Sequence, residues 1–165
     1  ASNRSNGAVW LPCGLWALRC YDSLAFSPHR PDLAGKEWEV VIPHAGSYAL
    51  PGGRTLTVRP SPPPDDLRAS SRHRAYFSPI ATPLPWTVRT FRPGDRFRPF
   101  GMTGTKKVKD FFIDEKVPLS ERRRIPLLFC EQTLLWICGY RVAEAGRASS
   151  EDRDLLEVDF TVPTP

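Results

Sequence analysis

Prolines interrupt this chain so often that long helices have little room: eighteen are scattered along its 165 residues. Proline lacks a backbone N–H, and in a helix its ring clashes with the carbonyl one turn earlier. It therefore stops helices and collects at turns and strand edges. Short strands joined by turns are the expected framework. Residues 9–11, 15–21, 24–27, 37–42, 54–59, 72–77 and 155–162 read as strands, with turns at Asp22 and Ser23 and at Pro51, Gly52 and Gly53. The composition shifts at SPPPDDLRASS, whose three consecutive prolines and paired acids predict a linker. The expected division is a β-rich part over 1–59, a linker over 60–71 and a second domain over 72–165.

The segment from 86 to 142 is the most structured in its patterning. Trp86, Val88 and Thr90 alternate with Arg89 and Phe91, then Pro93, Gly94 and Asp95 make a turn. A loop follows, punctuated by Pro99, Gly101 and Gly104. Val108, Phe111 and Phe112 then fall at i, i+3 and i+4, one face of an amphipathic helix predicted over 105–116. Thr105 is the expected N-cap, and Pro118 stops the helix. A helical turn is predicted over 119–124 and a hairpin over 127–130 and 133–138. Val108, Phe111, Phe112, Trp136 and Ile137 are expected in the core, and Trp10 and Trp16 in packing. The fold class expected is α+β, an antiparallel, sandwich-like domain with one helix and one helical turn.

Charge is concentrated in the same segment. Between Arg89 and Arg124 stand eleven Lys/Arg and five Asp/Glu, a local excess of six where the whole chain carries +5. The remainder is close to neutral. A basic surface of this kind favours an acidic partner, nucleic acid being the commonest. Arg92, Arg96, Arg98, Lys106, Lys107 and Lys109 lie on one loop and the helix it feeds, and Arg141 is an expected neighbour. These seven are the candidate residues for contact with such a partner. Lys106 and Lys107 are expected to face water near the helix start, where a docked anion would relieve their opposition to the helix dipole. Asp110 and Asp114 are expected to pair with Lys107 or Lys109. The consecutive Arg122, Arg123 and Arg124 fan around their turn, so at least one should pack its stem on the body.

The residues of a catalytic centre are not recognisable. His29, His44 and His73 sit in or beside loops, outside any nucleophile signature. Gly101 and Gly104 precede Thr105 and Lys106 without the G-K-[ST] ending of a phosphate loop. Cys13, Cys20, Cys130 and Cys138 match no common zinc spacing and lie in apolar surroundings, so buried free thiols are expected. The longest apolar runs are too short to span a bilayer. The first residues show neither a basic nor an apolar leader pattern, and a cytosolic chain is expected. The absence of an initiating Met suggests a piece of a longer protein, with residues 1–8 frayed.

Over about sixty residues the motifs carry a resemblance. RPGDRFRPFGMTGTKKVKDFFIDEKVPLSERRRIPLL, followed by LLWICGYRVAE, resembles the C-terminal domain of bacterial tRNA(Ile)-lysidine synthases. The family pattern runs R-x-G-D-R-F-x-P-x-G-x-x-G-x-K-K-x-K-D-x-F-x-D-x-K-V-P, then R-x-x-x-P-L, then W-x-x-G-x-R. Cys138, before the glycine, is a local departure. The resemblance implies a domain shared with the phenylalanyl-tRNA synthetase β subunit. It also implies a parent ligase that uses ATP, with Mg, to join lysine to the wobble cytidine of the CAU-anticodon isoleucine tRNA. The family's S-G-G-x-D-S loop for ATP belongs to a separate N-terminal catalytic domain and does not occur here, so this portion alone is expected to hold no cofactor and to be inactive. Its implied partners are that tRNA, gripped towards the acceptor stem, and the catalytic domain. A structural or docking role that holds the catalytic domain in shape is the alternative.

Overall fold

The computed structural model describes residues 6–31, 35–66 and 71–163. In order the strands are β1 (Asn6–Trp10), β2 (Trp16–Cys20), β3 (Ser23–Ser27), β4 (Glu39–Ile42), β5 (Gly46–Leu50), β6 (Arg54–Ser61), β7 (Arg74–Phe77), β8 (Trp86–Arg89), β9 (Arg96–Phe97) and β10 (Lys106–Lys107). Helices α1 (Val108–Asp114) and α2 (Leu119–Arg122) follow. Then come β11 (Leu127–Cys130), β12 (Thr133–Ile137), β13 (Arg141–Val142) and β14 (Leu155–Thr161). The paired strands are all antiparallel. The expected antiparallel, sandwich-like domain with one helix and one helical turn forms, as mostly antiparallel sheets with two short helices.

Two sheets make the sandwich, ordered β13-β12-β11-β8-β4 and β5-β6-β14-β7. Ile42, Trp86, Val88, Leu128 and Trp136 of the first share one core with Leu56, Val58, Phe77, Val158 and Phe160 of the second. Trp86 meets Phe77 edge-on at 5.6 Å, and Trp136 meets Phe160 at 6.3 Å. Burying each such side chain stabilises the fold by about 1.5–3 kcal/mol. The Trp86 indole N–H donates to the Thr82 carbonyl at 3.0 Å, so its polar atom is satisfied in the core.

The five-stranded sheet is covered on its other face as well. Val108, Phe111 and Phe112 of α1 pack with Phe97, Val117, Leu127, Phe129 and Ile137 in a second core. This is why β11 and β12 read as apolar runs, LLFC and TLLWI, rather than alternating. The register shifts between Leu128 and Phe129: Leu128 faces Trp136 and Phe129 faces Leu134, leaving Leu135 extra. That bulge lets Leu135 and Trp136, though consecutive, both enter the sandwich core.

Several expectations are corrected. The boundary at 60–71 divides no core, because β4 pairs with β8 and β6 pairs with β14, joining strands from either side of it. The proline-rich stretch connects β6 to β7 within one sheet, and residues 67–70 of it lie outside the described residues. So do residues 1–5 of the segment expected to fray, whereas Asn6 onward forms β1. β1, β2 and β3 form a separate three-stranded sheet. It has little core of its own: Trp10 packs on Trp16 at 5.5 Å, as expected of the pair, yet stays 52% exposed. It is tied to the body by Tyr21, whose hydroxyl donates to the Ile113 carbonyl at 3.4 Å and accepts from the Arg122 guanidinium at 3.2 Å. Arg122 is the buried member of its arginine run, its Nε donating to the Val117 carbonyl at 3.1 Å. All four cysteines are free as expected, but only Cys138 is buried, and Cys13 is exposed.

Candidate nucleic-acid interface

Asp95 organises the basic segment. Gly94, at φ +98, supplies the left-handed step of the turn before it, which side-chain-bearing residues rarely adopt. The Asp95 carboxylate accepts the Arg92 backbone N–H at 2.7 Å and both terminal nitrogens of Arg89 at 2.9 and 2.7 Å. Its backbone carbonyl accepts the Val108 N–H at 2.9 Å, fixing the start of α1. Arg89 lies 4.0 Å over the Phe129 ring and is only 13% exposed, so this bidentate pair is structural.

The helix therefore begins at Val108 rather than 105. Lys107 is the N-cap, with no side-chain cap hydrogen bond, and Thr105 caps nothing. Lys106 and Lys107 instead form a strand whose Cα partners are Phe97 and Arg96 respectively. Alternation across a strand then separates the two lysines. Lys106 shares a face with Phe97: its ammonium lies 6.0 Å from the Phe111 ring and pairs with Asp114. Lys106 thus does not simply face water, and Asp114 pairs with it rather than with Lys107 or Lys109. Asp110 makes no ion pair among the described residues. Lys107 and Arg96 share the opposite, exposed face. Like charges directly opposite each other on a ladder repel, and no carboxylate among the described residues joins either one. The expected anion site at the helix start is not built: α1 has seven residues, and its first N–H is engaged by Asp95.

The other expected residues are placed unequally. Lys109 is exposed on the first turn of α1 without an ion pair among the described residues. Arg98 is exposed on the loop after β9, and its carbonyl accepts the Glu144 N–H at 2.8 Å. Glu144 accepts the Gly101 N–H at 2.8 Å, which holds its carboxyl below the usual range, with Arg147 and Arg98 adding to the effect. Arg141 donates to the Phe100 carbonyl at 3.1 Å. Arg92 is drawn towards β4 by Glu39, at 3.1 Å. Arg96 and Lys107 are therefore paired by the ladder, Lys109 and Arg98 flank them in sequence, and Lys106 and Arg92 are held by carboxylates.

Sequence reasoning missed a cleft of about 500 Å³ beside this segment, whose wall includes Tyr76, Phe100, Phe111 and Tyr140 and whose charged residues include Arg72 and Arg147. The signal available was the aromatic–arginine neighbours FRPFG and GYR, which spacing alone does not bring together.

Among the described residues, neither glycine-containing loop has the geometry of a nucleotide phosphate loop. The Gly101–Gly104 loop leads into β10, not into a helix, and Gly52 and Gly53 turn β5 back into β6. Among the described residues, no three His, Cys, Asp or Glu gather to hold a metal, and no helix is long and apolar enough to cross a membrane.

The architecture has a solved counterpart. A crystal structure described as the TILS C-terminal domain superposes with a TM-score of 0.71 at 25% identity, covering 79% of this chain and all of that one. The fold thus defines a β-sandwich domain of the type found at the C-terminus of a longer enzyme. The family model for the TilS substrate C-terminal domain matches residues 86–158. The tRNA(Ile)-lysidine synthase of Geobacter sulfurreducens is 40% identical over 157 residues, which is 95% of this chain and 33% of that protein. That of Symbiobacterium thermophilum is 36% identical over 154 residues, 84% of this chain and 30% of that protein. The chain belongs to the tRNA(Ile)-lysidine synthase family and carries its C-terminal domain. It spans about a third of the length of these curated relatives.

Proposed function

We propose that this chain is the tRNA-gripping C-terminal portion of a cytoplasmic tRNA(Ile)-lysidine synthase, the ATP-dependent ligase that joins lysine to the wobble cytidine of the CAU-anticodon isoleucine tRNA. ATP, Mg and the bond-forming chemistry belong in this reading to an N-terminal catalytic domain. The residues here hold phosphate: Arg96, Arg98, Lys107 and Lys109 make the primary contacts. Lys106, Arg92 and Arg141 join by exchanging or sharing their present partners. The observation that carries the reading is the Arg96–Lys107 pair, two exposed cations set opposite each other, neither of them in an ion pair among the described residues. An RNA stem presents phosphates and 2′-hydroxyls rather than readable base edges in its deep groove, and clustered cations suit that surface.

The test is binding of the 165-residue chain to full-length tRNA and to an anticodon stem-loop over a range of salt. With about five phosphates neutralised, binding should weaken roughly 500-fold between 50 and 200 mM salt. The full tRNA should bind better than the stem-loop. Salt-independent or absent binding would sink the reading. One observation favours the docking alternative. Val9, Ala17 and Phe26 form one row across the three-stranded sheet, with Leu24 on the same face, and Val9, Phe26 and Leu24 are all more than half exposed. If docking on the catalytic domain is this chain's role, polar substitutions there should release that domain and leave RNA binding unchanged.

A further inference from the structure

The aromatic cleft beside the basic hairpin is used by nothing described so far. We propose that it seats one unstacked nucleotide of single-stranded RNA, the base lying against Tyr140, Phe100 and Arg147 and its phosphates meeting Arg72 and Arg141. The inference rests on the tRNA-binding reading and extends it from duplex phosphates to an unpaired segment of the same RNA.

Its volume of about 500 Å³ falls within the roughly 300–1,000 Å³ of small-ligand sites. A paired base cannot enter, because both its faces are covered by neighbours in the helix. A single-stranded base can, and aromatic walls with cationic rims are how proteins hold one. The Arg147 guanidinium already lies 4.6 Å from the Phe100 ring centroid, so a cation–aromatic stack is preformed at the mouth. Tyr140 leans edge-on against Phe112 at 6.4 Å, which fixes its ring. Its half-buried hydroxyl makes no hydrogen bond among the described residues, so it remains available to a ligand. Arg72 makes no ion pair among the described residues. Glu115, the acidic residue of the lining, suits the exocyclic amine of a base rather than a phosphate. The cleft also adjoins the proposed patch: Arg141 lines it, and Phe111 at its wall carries the Lys106 ammonium.

The experiment compares two RNA hairpins of the same stem, one blunt and one with a short single-stranded 3′ tail carrying 2-aminopurine. Stacking of one base on an aromatic side chain should tighten binding of the tailed RNA by about tenfold or more and quench the tail's fluorescence. Tyr140→Leu and Arg72→Ala should each remove most of that gain without changing affinity for the blunt hairpin, while Tyr140→Phe keeps the quenching. Circular dichroism establishes that each variant is folded, and Arg72, exposed in a loop, provides the variant least coupled to folding. A tail that adds nothing, or variants that weaken both hairpins equally, would overturn the cleft and leave the duplex grip standing. Failure of both hairpins to bind would overturn the two together.

Discussion

Replacing Lys107 with Asp should make the free domain more stable and its RNA binding weaker. Lys107 occupies the N-cap of α1 with extended backbone, φ −68 and ψ 136, and makes no cap hydrogen bond. Asp is among the best N-cap residues, since its carboxylate accepts a backbone N–H otherwise left without a partner, typically for about 1 kcal/mol. It would also turn a repulsive cross-strand pair with Arg96 into an attractive one, for roughly 0.2–1 kcal/mol more. Together these are about 1–2 kcal/mol, or near 2–8 °C in Tm for a domain of this size. Binding moves the other way. Losing one phosphate contact and adding one negative charge flattens the salt slope by about 1.8. The fall in affinity between 50 and 200 mM salt then shrinks from roughly 500-fold to about 40-fold. Urea denaturation without RNA and fluorescence anisotropy with tRNA read the two effects separately. A variant that is stabilised yet binds tRNA with an unchanged slope would refute the placement of Lys107 against phosphate. A destabilised variant would refute the local geometry.

Asp95→Ala should cost about 3 kcal/mol or more in urea denaturation, since it leaves the Arg89 guanidinium largely buried and unpaired and frees the turn before β9. Thiol titration of the native chain should modify Cys13 readily, whereas Cys138, buried and with its thiol pKa pushed up by desolvation, should react only on unfolding. Asp152 accepts the Ser149 N–H at 2.7 Å and the Ser78 hydroxyl at 2.8 Å, and these bonds hold its carboxyl below the ordinary value. Its contribution to stability should be present above pH about 4, near the ordinary Asp pKa, and disappear as pH falls through the lower folded value. Asp152→Asn should reduce that acid sensitivity in a pH series of thermal melts.

The helix face Val108–Phe111–Phe112 and the hairpin from Leu127 to Ile137 were legible because their patterns are local and their burial is extreme. The start of α1 was not. The 3.6-residue period says nothing before Val108, and Lys106–Lys107 becomes a strand only because Arg96–Phe97 lies alongside, a pairing set by Asp95 and the turn. The false domain boundary has a similar origin. A proline-rich connection looks the same whether it joins two domains or two strands of one sheet, and the partner that unites β6 and β7 comes some eighty residues later. In the candidate site the cationic segment was visible as composition. Which cations carboxylates already hold is a three-dimensional matter: Glu39 reaches Arg92 from 53 residues away. The cleft draws on residues from 71 to 148, and no spacing rule joins them.

The position of β14 bears on how this domain comes off the ribosome. β6 and β7 do not pair with each other; each pairs with β14, which lies between them. Synthesis runs through β8 to β13 and both helices before Leu155 is made, so β6 and β7 both emerge with an edge waiting for a partner. An open edge of this kind is a template for pairing with another nascent chain. Completion of the sheet thus waits for β14, the last of its four strands to be made.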